Sequence, residues 1–136
     1  MVSLERLSPS QLKRFFPFSL LEEPELNRLI PLIEIVNYPK GSMIYSSGDI
    51  PDAIYFIVSG EIQLMLHNED SNPQRLTLTI QDHFGDEALS SMDYRLSGAL
   101  ATSEVSLLRI SRSNLRQMQT QFSLLRRAFR LMLHSF

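Results

Sequence analysis

The spacing of apolar positions changes twice along the chain and divides it into three zones. Residues 8–31 carry apolar side chains at helical spacing, and prolines interrupt this pattern. Residues 34–110 form short apolar, β-branched and aromatic stretches, several of which alternate with period two between glycines. From Ser111 onward the spacing is helical again. The pattern therefore predicts N-terminal helices, strands in the middle and a long helix at the end.

Seven stretches of the middle zone are predicted to be strands. In chain order they read IEIVNY, MIYSS, AIYFIVSG, EIQLMLHN, RLTLTI, SGALA and VSLLRI. Many short strands at spacings near ten residues indicate a sandwich or a barrel. One further stretch, GDEALSSM, does not fit a strand, because its Glu-Ala-Leu core favours one or two helical turns.

The final helix carries apolar residues at alternating spacings of three and four. They are Leu115, Met118, Phe122, Leu125, Phe129, Met132 and Phe136. Such an a/d series predicts a homodimer in which the helices of two chains pair. The alternative is a helix packed on its own β core, and Leu124, Leu131 and Leu133 widen the apolar stripe beyond a strict seam. Residues 119–123 are a candidate position for a kink.

Composition limits the class of protein. The chain has 136 residues, of which 43% are apolar and 21% charged, and a net charge of −2. These values predict one globular domain over residues 1–136 without the basic surface that binds nucleic acid. The absence of cysteine excludes disulfides and thiolate metal sites. The chain shows no signal-peptide pattern and no apolar run of transmembrane length, so we expect a cytoplasmic domain without membrane insertion.

An enzymatic function is not favoured by the sequence. His67, His83 and His134 are scattered and lack the short spacing of metal ligands. No serine has the surroundings of a nucleophile. We therefore expect no catalytic residue and no metal.

Charge is unevenly distributed along the chain. All fifteen acidic residues lie at or before Glu104, and six arginines follow it: Arg109, Arg112, Arg116, Arg126, Arg127 and Arg130. Because the helix dipole favours cations toward a helix C-terminus, a solvated helix face explains them. The alternative is a docking surface for an acidic partner or a neighbouring domain.

The stretch FGDEALSSMDYRLSGA, residues 84–99, combines the features of an anion site. If Gly85 ends a strand and residues 86–91 begin a short helix, the first amides of that helix favour an anion. Arg95 offers a planar fork of donors suited to phosphate, and Asp86 is able to accept hydrogen bonds from sugar hydroxyls. Together these features suggest a sugar phosphate. The alternative is an internal ion pair of Arg95 with Asp86 or Asp93.

The same stretch resembles the phosphate-binding cassette of the cyclic nucleotide-binding domain family. The family pattern runs Phe-Gly-Glu, any residue, Ala or Ser, Leu, and after a short loop Arg; here it is residues 84–89 followed by Arg95. Upstream, KGSMIYSSGDIPDAIYFIVSGEIQLM is similar to the Lys-Gly, Gly-Asp, Asp-x-x-Tyr-x-Ile and Ser-Gly signatures of the family. Downstream, ATSEVSLLRISRSNLRQM is similar to its last strand and following helix. The similarity covers about residues 15–135.

The resemblance implies a mainly β fold. It consists of an antiparallel β-roll over residues 34–110, N-terminal helices over 8–31, a short cassette helix, and a hinge and lid helix over 111–136. It also implies that Arg95 holds a cyclic phosphate, that Asp86 takes the ribose 2′-hydroxyl, and that the amides of Glu87, Ala88 and Leu89 complete the cradle. The ligand-binding residues are then Phe84, Gly85, Asp86, Glu87, Ala88, Leu89, Arg95, Leu96 and Ser97.

Three positions depart from the family pattern. Asp86 is one methylene shorter than the usual glutamate, so its ribose contact is expected to need a water. Glu87 stands where the family usually has an apolar residue, and we expect it to face solvent or to add reach toward the ribose. Leu96 lacks the hydroxyl that supports phosphate and guanine in the family, so cyclic AMP (cAMP) is expected over cyclic GMP (cGMP).

Two functions remain open from the sequence. The first is a regulatory domain that binds a cyclic nucleotide and transmits the signal through its last helix to an effector outside this chain, which we expect to be part of a longer protein. The second is a degenerate domain that mediates protein interaction or dimerisation without nucleotide. Nucleotide-dependent thermal stabilisation distinguishes the two.

Overall fold

The computed structural model of the chain describes residues 6–66 and 74–133. The α-helices are α1 (Pro9–Leu12), α2 (Glu23–Leu29), α3 (Arg112–Gln121) and α4 (Ser123–Leu133), and 3₁₀ turns span Phe18–Leu20, Ile30–Leu32 and Asp86–Leu89. The strands are β1 (Glu34–Tyr38), β2 (Met43–Tyr45), β3 (Ala53–Ser59), β4 (Ile62–Leu66), β5 (Gln74–Leu78), β6 (His83–Phe84), β7 (Ser97–Ala101) and β8 (Val105–Ser111).

The strands form two antiparallel four-stranded sheets, in the orders β1-β8-β3-β6 and β2-β7-β4-β5. This arrangement confirms the predicted β-roll with flanking helices. All seven predicted strands are present, whereas β6 was missed because two residues are too short to show a periodicity. It is held by its pairing with β3, in which Tyr55 lies opposite Phe84.

Strands β3 and β8 lie between two apolar cores. On one face, Ile54 and Phe56 pack with the helices. On the other face, Tyr55 and Ile57 pack against the second sheet. Burial on both faces explains why AIYFIVS is a nearly continuous apolar run rather than an alternating one.

The C-terminal helix is broken at Phe122, which has an extended backbone (φ −129°, ψ 104°) between α3 and α4. The break lies within residues 119–123, the candidate position for a kink. The guanidinium of Arg28 in α2 lies 5.1 Å from the centre of the Phe122 ring, so the N-terminal helices contact this junction.

The apolar stripe of α3 and α4 packs on the chain's own core, as the second alternative predicted. Its members Leu115, Met118, Leu125, Phe129 and Met132 are buried in the core cluster formed by the helices and the first sheet. The apolar surface of these side chains is already covered within one chain, so the stripe itself is accounted for without a partner helix. The homodimer stays a prediction. Phe136 lies outside the described residues.

The six C-terminal arginines have different roles. Arg109 forms ion pairs with Glu34 (3.0 Å) and Asp52 (3.1 Å), and Arg112 binds backbone carbonyl groups of the cassette. The remaining four, Arg116, Arg126, Arg127 and Arg130, are exposed on α3 and α4. A solvated face thus accounts for four arginines only, and the docking of an acidic partner on them stays a prediction.

Candidate functional site

A left-handed glycine positions the cassette. Gly85 follows β6 with a φ of 84°, and the 3₁₀ turn Asp86–Leu89 begins directly after it. A Cβ atom at this position would lie 2.9 Å from Nη1 of Arg95 and 3.1 Å from the carbonyl oxygen of Ala53. Both the backbone conformation and the close approach of Arg95 therefore require glycine here.

Arg95 is completely buried behind this turn. Its Nη1 donates hydrogen bonds to the carbonyl of Gly85 (3.0 Å) and to Oε1 of Glu87 (3.1 Å). Its Nη2 donates to the carbonyl of Ala53 (2.6 Å) and contacts Oδ1 of Asp52 at 3.5 Å. Because a buried charge is costly unless it is paired, these four contacts are what make an arginine tolerable at this position.

An aromatic ring supports the same guanidinium. The ring centre of Tyr45 lies 4.0 Å from Cζ of Arg95, a distance typical of a cation–π contact. Burial raises the pKa of the Tyr45 hydroxyl, and the Glu87 carboxylate adds to that increase. Tyr45 therefore stays neutral at ordinary pH and presents an uncharged ring to Arg95.

Glu87 joins the two ends of the cassette. Its Oε1 accepts from Arg95, and its Oε2 accepts a 3.0 Å hydrogen bond from the backbone amide of Leu96. The expectation that Glu87 faces solvent or reaches toward a ribose is therefore wrong. The alternative of an internal ion pair was correct in kind but wrong in its partner, since Arg95 pairs with Glu87 and Asp52 rather than with Asp86 or Asp93.

Asp86 is held by a different partner. Its Oδ2 lies 3.2 Å from Nε2 of His83, and its Oδ1 is buried without a hydrogen bond. This oxygen has an unused lone pair, but because it is buried, a ligand hydroxyl would reach it only after the side chain of Asp86 moves. His67 and His134 lie outside the described residues; within residues 6–66 and 74–133 no group of three acidic or histidine side chains is placed to hold a metal.

The predicted cradle of helix amides is only partly available. The amide of Ala88 donates to the carbonyl of Gly85 (3.2 Å) inside the 3₁₀ turn, so it is not directed at a ligand. Ala88 is buried, and Leu89 packs against the helical core rather than lining the cavity described below. The amide of Leu96, which sequence reasoning did not single out, is the donor placed beside Arg95.

A cavity of about 390 Å³ adjoins the cassette. Small-molecule sites typically fall in this size range. Six of the predicted site residues line it: Phe84, Gly85, Asp86, Glu87, Leu96 and Ser97. The rest of the wall is mostly apolar and includes Leu64, Leu66, Leu76, Leu78, Met92 and, from α4, Leu133. Arg95 does not line the cavity, whereas Glu87, which accepts a hydrogen bond from its Nη1, does.

Arg112 fastens the cassette to α3, and sequence reasoning missed it. Its guanidinium donates to the carbonyls of Ala88 (3.3 Å), Glu87 (3.1 Å), Ser90 (2.9 Å) and Met92 (2.8 Å). A signal was present in the sequence, because an arginine in the first turn of a helix is opposed by the helix dipole. Because a positive charge is unfavourable at that position, an arginine there indicates that its guanidinium has a specific partner.

An antiparallel β-roll with a buried arginine beside an apolar cavity defines a small-molecule-binding domain. A family model described as "Cyclic nucleotide-binding domain" matches residues 35–122. The chain therefore belongs to the cyclic nucleotide-binding domain family. It resembles regulatory cyclic nucleotide-binding domains, not catalytic domains.

Curated relatives match most of this chain but only part of their own length. A cGMP-dependent protein kinase of Plasmodium berghei is 27% identical over 93 residues, which are 68% of this chain and 10% of the kinase. A CRP-like cAMP-activated global transcriptional regulator of Mycobacterium tuberculosis is 26% identical over 100 residues, which are 73% of this chain and 45% of the regulator. The chain thus spans less than half of these relatives.

Solved structures share the fold. A putative cyclic nucleotide-binding protein of Geobacter metallireducens has a TM-score of 0.76 at 23% identity and covers 90% of this chain and 89% of its own. The catabolite activator protein of Thermus thermophilus has a TM-score of 0.78 at 23% identity, with coverages of 93% and 57%. The cAMP-bound PfPKA-R has a TM-score of 0.69 at 26% identity, with coverages of 81% and 39%. None of the described helices is long and apolar enough to cross a membrane.

Proposed function

We propose that this chain is a regulatory domain that binds a cyclic nucleotide in the 390 Å³ cavity. One observation carries the proposal: Nη1 of Arg95 and the amide of Leu96 are two donors that converge on a single carboxylate at the polar end of an apolar cavity. Two converging donors of this kind suit the two free oxygens of a cyclic phosphate. Membership of the family supports the assignment.

Each part of a cyclic nucleotide has a counterpart in the cavity. The phosphate would take the donors of Arg95 and Leu96. A ribose hydroxyl would donate to the carboxylate of Asp86, which lines the cavity, directly or through a water. The base would lie against the apolar wall, which includes Leu66, Leu78 and other leucines and stabilises a flat ring by burial.

Of the two common cyclic nucleotides, cAMP is the proposed ligand. Leu96 follows Arg95, lines the cavity and offers no side-chain hydroxyl to the amino group of guanine. An unpaired buried donor is costly, which disfavours cGMP. The relatives include both a cGMP-dependent kinase and a cAMP-activated regulator, so their names leave this choice to the residues of the chain.

The ligand signal would leave the site through the C-terminal helices. Arg112 connects the carbonyls of the cassette to the first turn of α3, and Leu133 of α4 forms part of the cavity wall. A ligand that moves the cassette or displaces Leu133 therefore acts on both helices. The effector lies outside this chain in this proposal, and the cytoplasmic location stays a prediction from the sequence.

Calorimetric titration tests the function directly. We expect cAMP to bind and to raise the midpoint of thermal unfolding in a concentration-dependent manner, because a ligand that binds only the folded state stabilises it. 5′-AMP serves as the control, since it has the same base and ribose without the cyclic phosphate. The absence of binding and of any thermal shift with both cAMP and cGMP at millimolar concentration would contradict the proposal.

The second candidate function, interaction without nucleotide, is favoured by the pairing of Arg95 with Glu87, which leaves the anion donors already occupied. A homodimer through α4 would then use the exposed Leu124 and Leu131 rather than the buried stripe. We expect sedimentation of a Leu124→Asp/Leu131→Asp variant to show a monomer where wild type is a dimer. A wild type that stays monomeric at high micromolar concentration would contradict the homodimer.

A further inference from the structure

Arg95 has no surface through which a ligand could reach it. The side chain is completely buried, and Nη1 and Nη2 each contact two acceptors. The remaining donor, Nε, has no partner but is buried as well. A ligand anion is therefore able to bind Nη1 or Nη2 of Arg95 only by replacing one of these acceptors. The identity of the group that leaves determines how the site works.

The four acceptors of Arg95 differ in how readily they move. The carbonyls of Gly85 and Ala53 are fixed by the left-handed turn and by β3. Asp52 lies at the longest distance, 3.5 Å, and its side chain does not line the cavity. Glu87 both bonds Arg95 and lines the cavity, and its side chain rotates without any change of the backbone. Glu87 is therefore the acceptor that a ligand entering from the cavity displaces.

Glu87 also bonds in the way that an anionic ligand would. Its two oxygens take the two donors that converge at the polar end, one from Arg95 at 3.1 Å and one from the amide of Leu96 at 3.0 Å. We propose that Glu87 is an internal anion that occupies the phosphate position of the ligand-free domain and must leave before a cyclic nucleotide binds. This inference rests on the proposed function of the cavity.

Electrostatic repulsion requires that the Glu87 carboxylate leaves Arg95 when the phosphate of the ligand binds it. The carboxylate and a cyclic phosphodiester each carry one negative charge, and two like charges cannot share one buried arginine without strong repulsion. A nucleoside without phosphate brings no such charge, so it is able to enter the apolar part of the cavity while Glu87 stays on Arg95. Glu87 therefore weakens the binding of the cyclic nucleotide but not of the nucleoside.

The test is the substitution Glu87→Gln, titrated with cAMP and with adenosine. The amide keeps the shape and an acceptor for Arg95 but removes the charge. Because a hydrogen bond to a charged group is lost from the competing state, we expect cAMP to bind about tenfold to about a hundredfold more tightly than to wild type. Adenosine binding should change by less than about threefold. The exposed Glu104→Gln is the matched control for the loss of one negative charge, and it should leave both affinities unchanged.

A purely structural role for Glu87 predicts a different result. If Glu87 only held Arg95 in place, Glu87→Gln would lower both the thermal midpoint of the ligand-free protein and the affinity for cAMP. We expect these quantities to change in opposite directions, with a lower midpoint and a higher affinity. An affinity for cAMP that is equal to or below that of wild type, or an equal gain for adenosine, overturns the inference while the proposed function stands.

A structure of wild type with cAMP gives a second test that does not depend on a variant. We expect phosphate oxygens on Nη1 of Arg95 and on the amide of Leu96, with Glu87 turned away. A bound nucleotide with Glu87 still on Arg95 overturns the inference. If neither wild type nor Glu87→Gln binds any cyclic nucleotide, the proposed function fails and the inference fails with it.

Discussion

The two ends of the cavity are built on opposite principles. At the polar end, Arg95, Glu87 and the amide of Leu96 are already bonded to one another. At the other end, Leu66, Leu78 and further apolar side chains surround empty space. In the proposed complex, a ligand exchanges partners at the polar end, whereas it only has to fill volume at the apolar end. On this proposal, a few residues set the selectivity for an anion, and the apolar wall contributes affinity through buried area.

The largest expected effect comes from removing the polar end. In Arg95→Ala the phosphate loses its charged donor, and truncation of one member of a buried charge pair costs roughly 2–5 kcal/mol. We expect calorimetry to show binding of cAMP about 30-fold to several thousand-fold weaker than to wild type. The ligand-free protein should also melt at a lower temperature, because Glu87 and two carbonyls lose their donor.

The control for this variant is Arg95→Lys, which keeps the charge but not the planar fork of donors. We expect an intermediate loss, because a lysine is a point charge that cannot satisfy the four acceptors in the same geometry. If Arg95→Ala bound cAMP as tightly as wild type, the assignment of the cassette as the phosphate site would be wrong.

A smaller gain is expected from lengthening the ribose contact. Asp86→Glu restores the reach of the family's glutamate, and one hydrogen bond to a charged group contributes on the order of 1.5 kcal/mol. Calorimetry should then show binding of cAMP about tenfold tighter. Weaker binding would indicate that a water already bridges Asp86 to the ribose, or that the contact of Asp86 with His83 is needed at its present length.

The next effect concerns the choice between nucleotides. Leu96→Thr supplies a hydroxyl next to Arg95 while the backbone donor of Leu96 is retained. One neutral hydrogen bond contributes about 0.5–1.5 kcal/mol, so the affinity for cGMP relative to that for cAMP should rise about twofold to tenfold. Any contact of the new hydroxyl with the phosphate is common to both nucleotides and leaves this ratio unchanged. Side-by-side titrations measure the ratio, and a wild type that already prefers cGMP would refute the reasoning from Leu96.

The smallest effect is expected at the apolar end. Leu66→Met preserves volume and hydrophobicity, and such exchanges usually cost less than about 1.5 kcal/mol. The affinity for cAMP should therefore change by less than about tenfold, which is below the loss expected for Arg95→Lys. A loss at Leu66 as large as that at Arg95 would show that the apolar wall also recognises specific groups.

The sequence predicted the strands, and it also singled out the cassette that adjoins the cavity, because both features follow from short-range patterns. The continuous apolar run of β3 and the glycine before Asp86 can both be recognised directly in the amino-acid sequence. The orientation of Glu87 was not, because it depends on the approach of Arg95, which is set by the packing of β3 against the cassette. The apolar stripe of α3 and α4 was compatible with both packing on the chain's own core and pairing with a second chain. Both arrangements require the same spacing of apolar residues, so the sequence could not distinguish them.

The four bonds of Arg112 have a thermodynamic consequence for the proposed regulator. The guanidinium of Arg112 connects the first turn of α3 to the cassette, so a change in the conformation of the cassette on ligand binding would also change the position of α3. Coupling of this kind is reciprocal. If the ligand raises the affinity of the domain for a partner that binds α3, the partner raises the affinity of the domain for the ligand by the same factor. A change in nucleotide affinity therefore reports the binding of an effector, whatever that effector is.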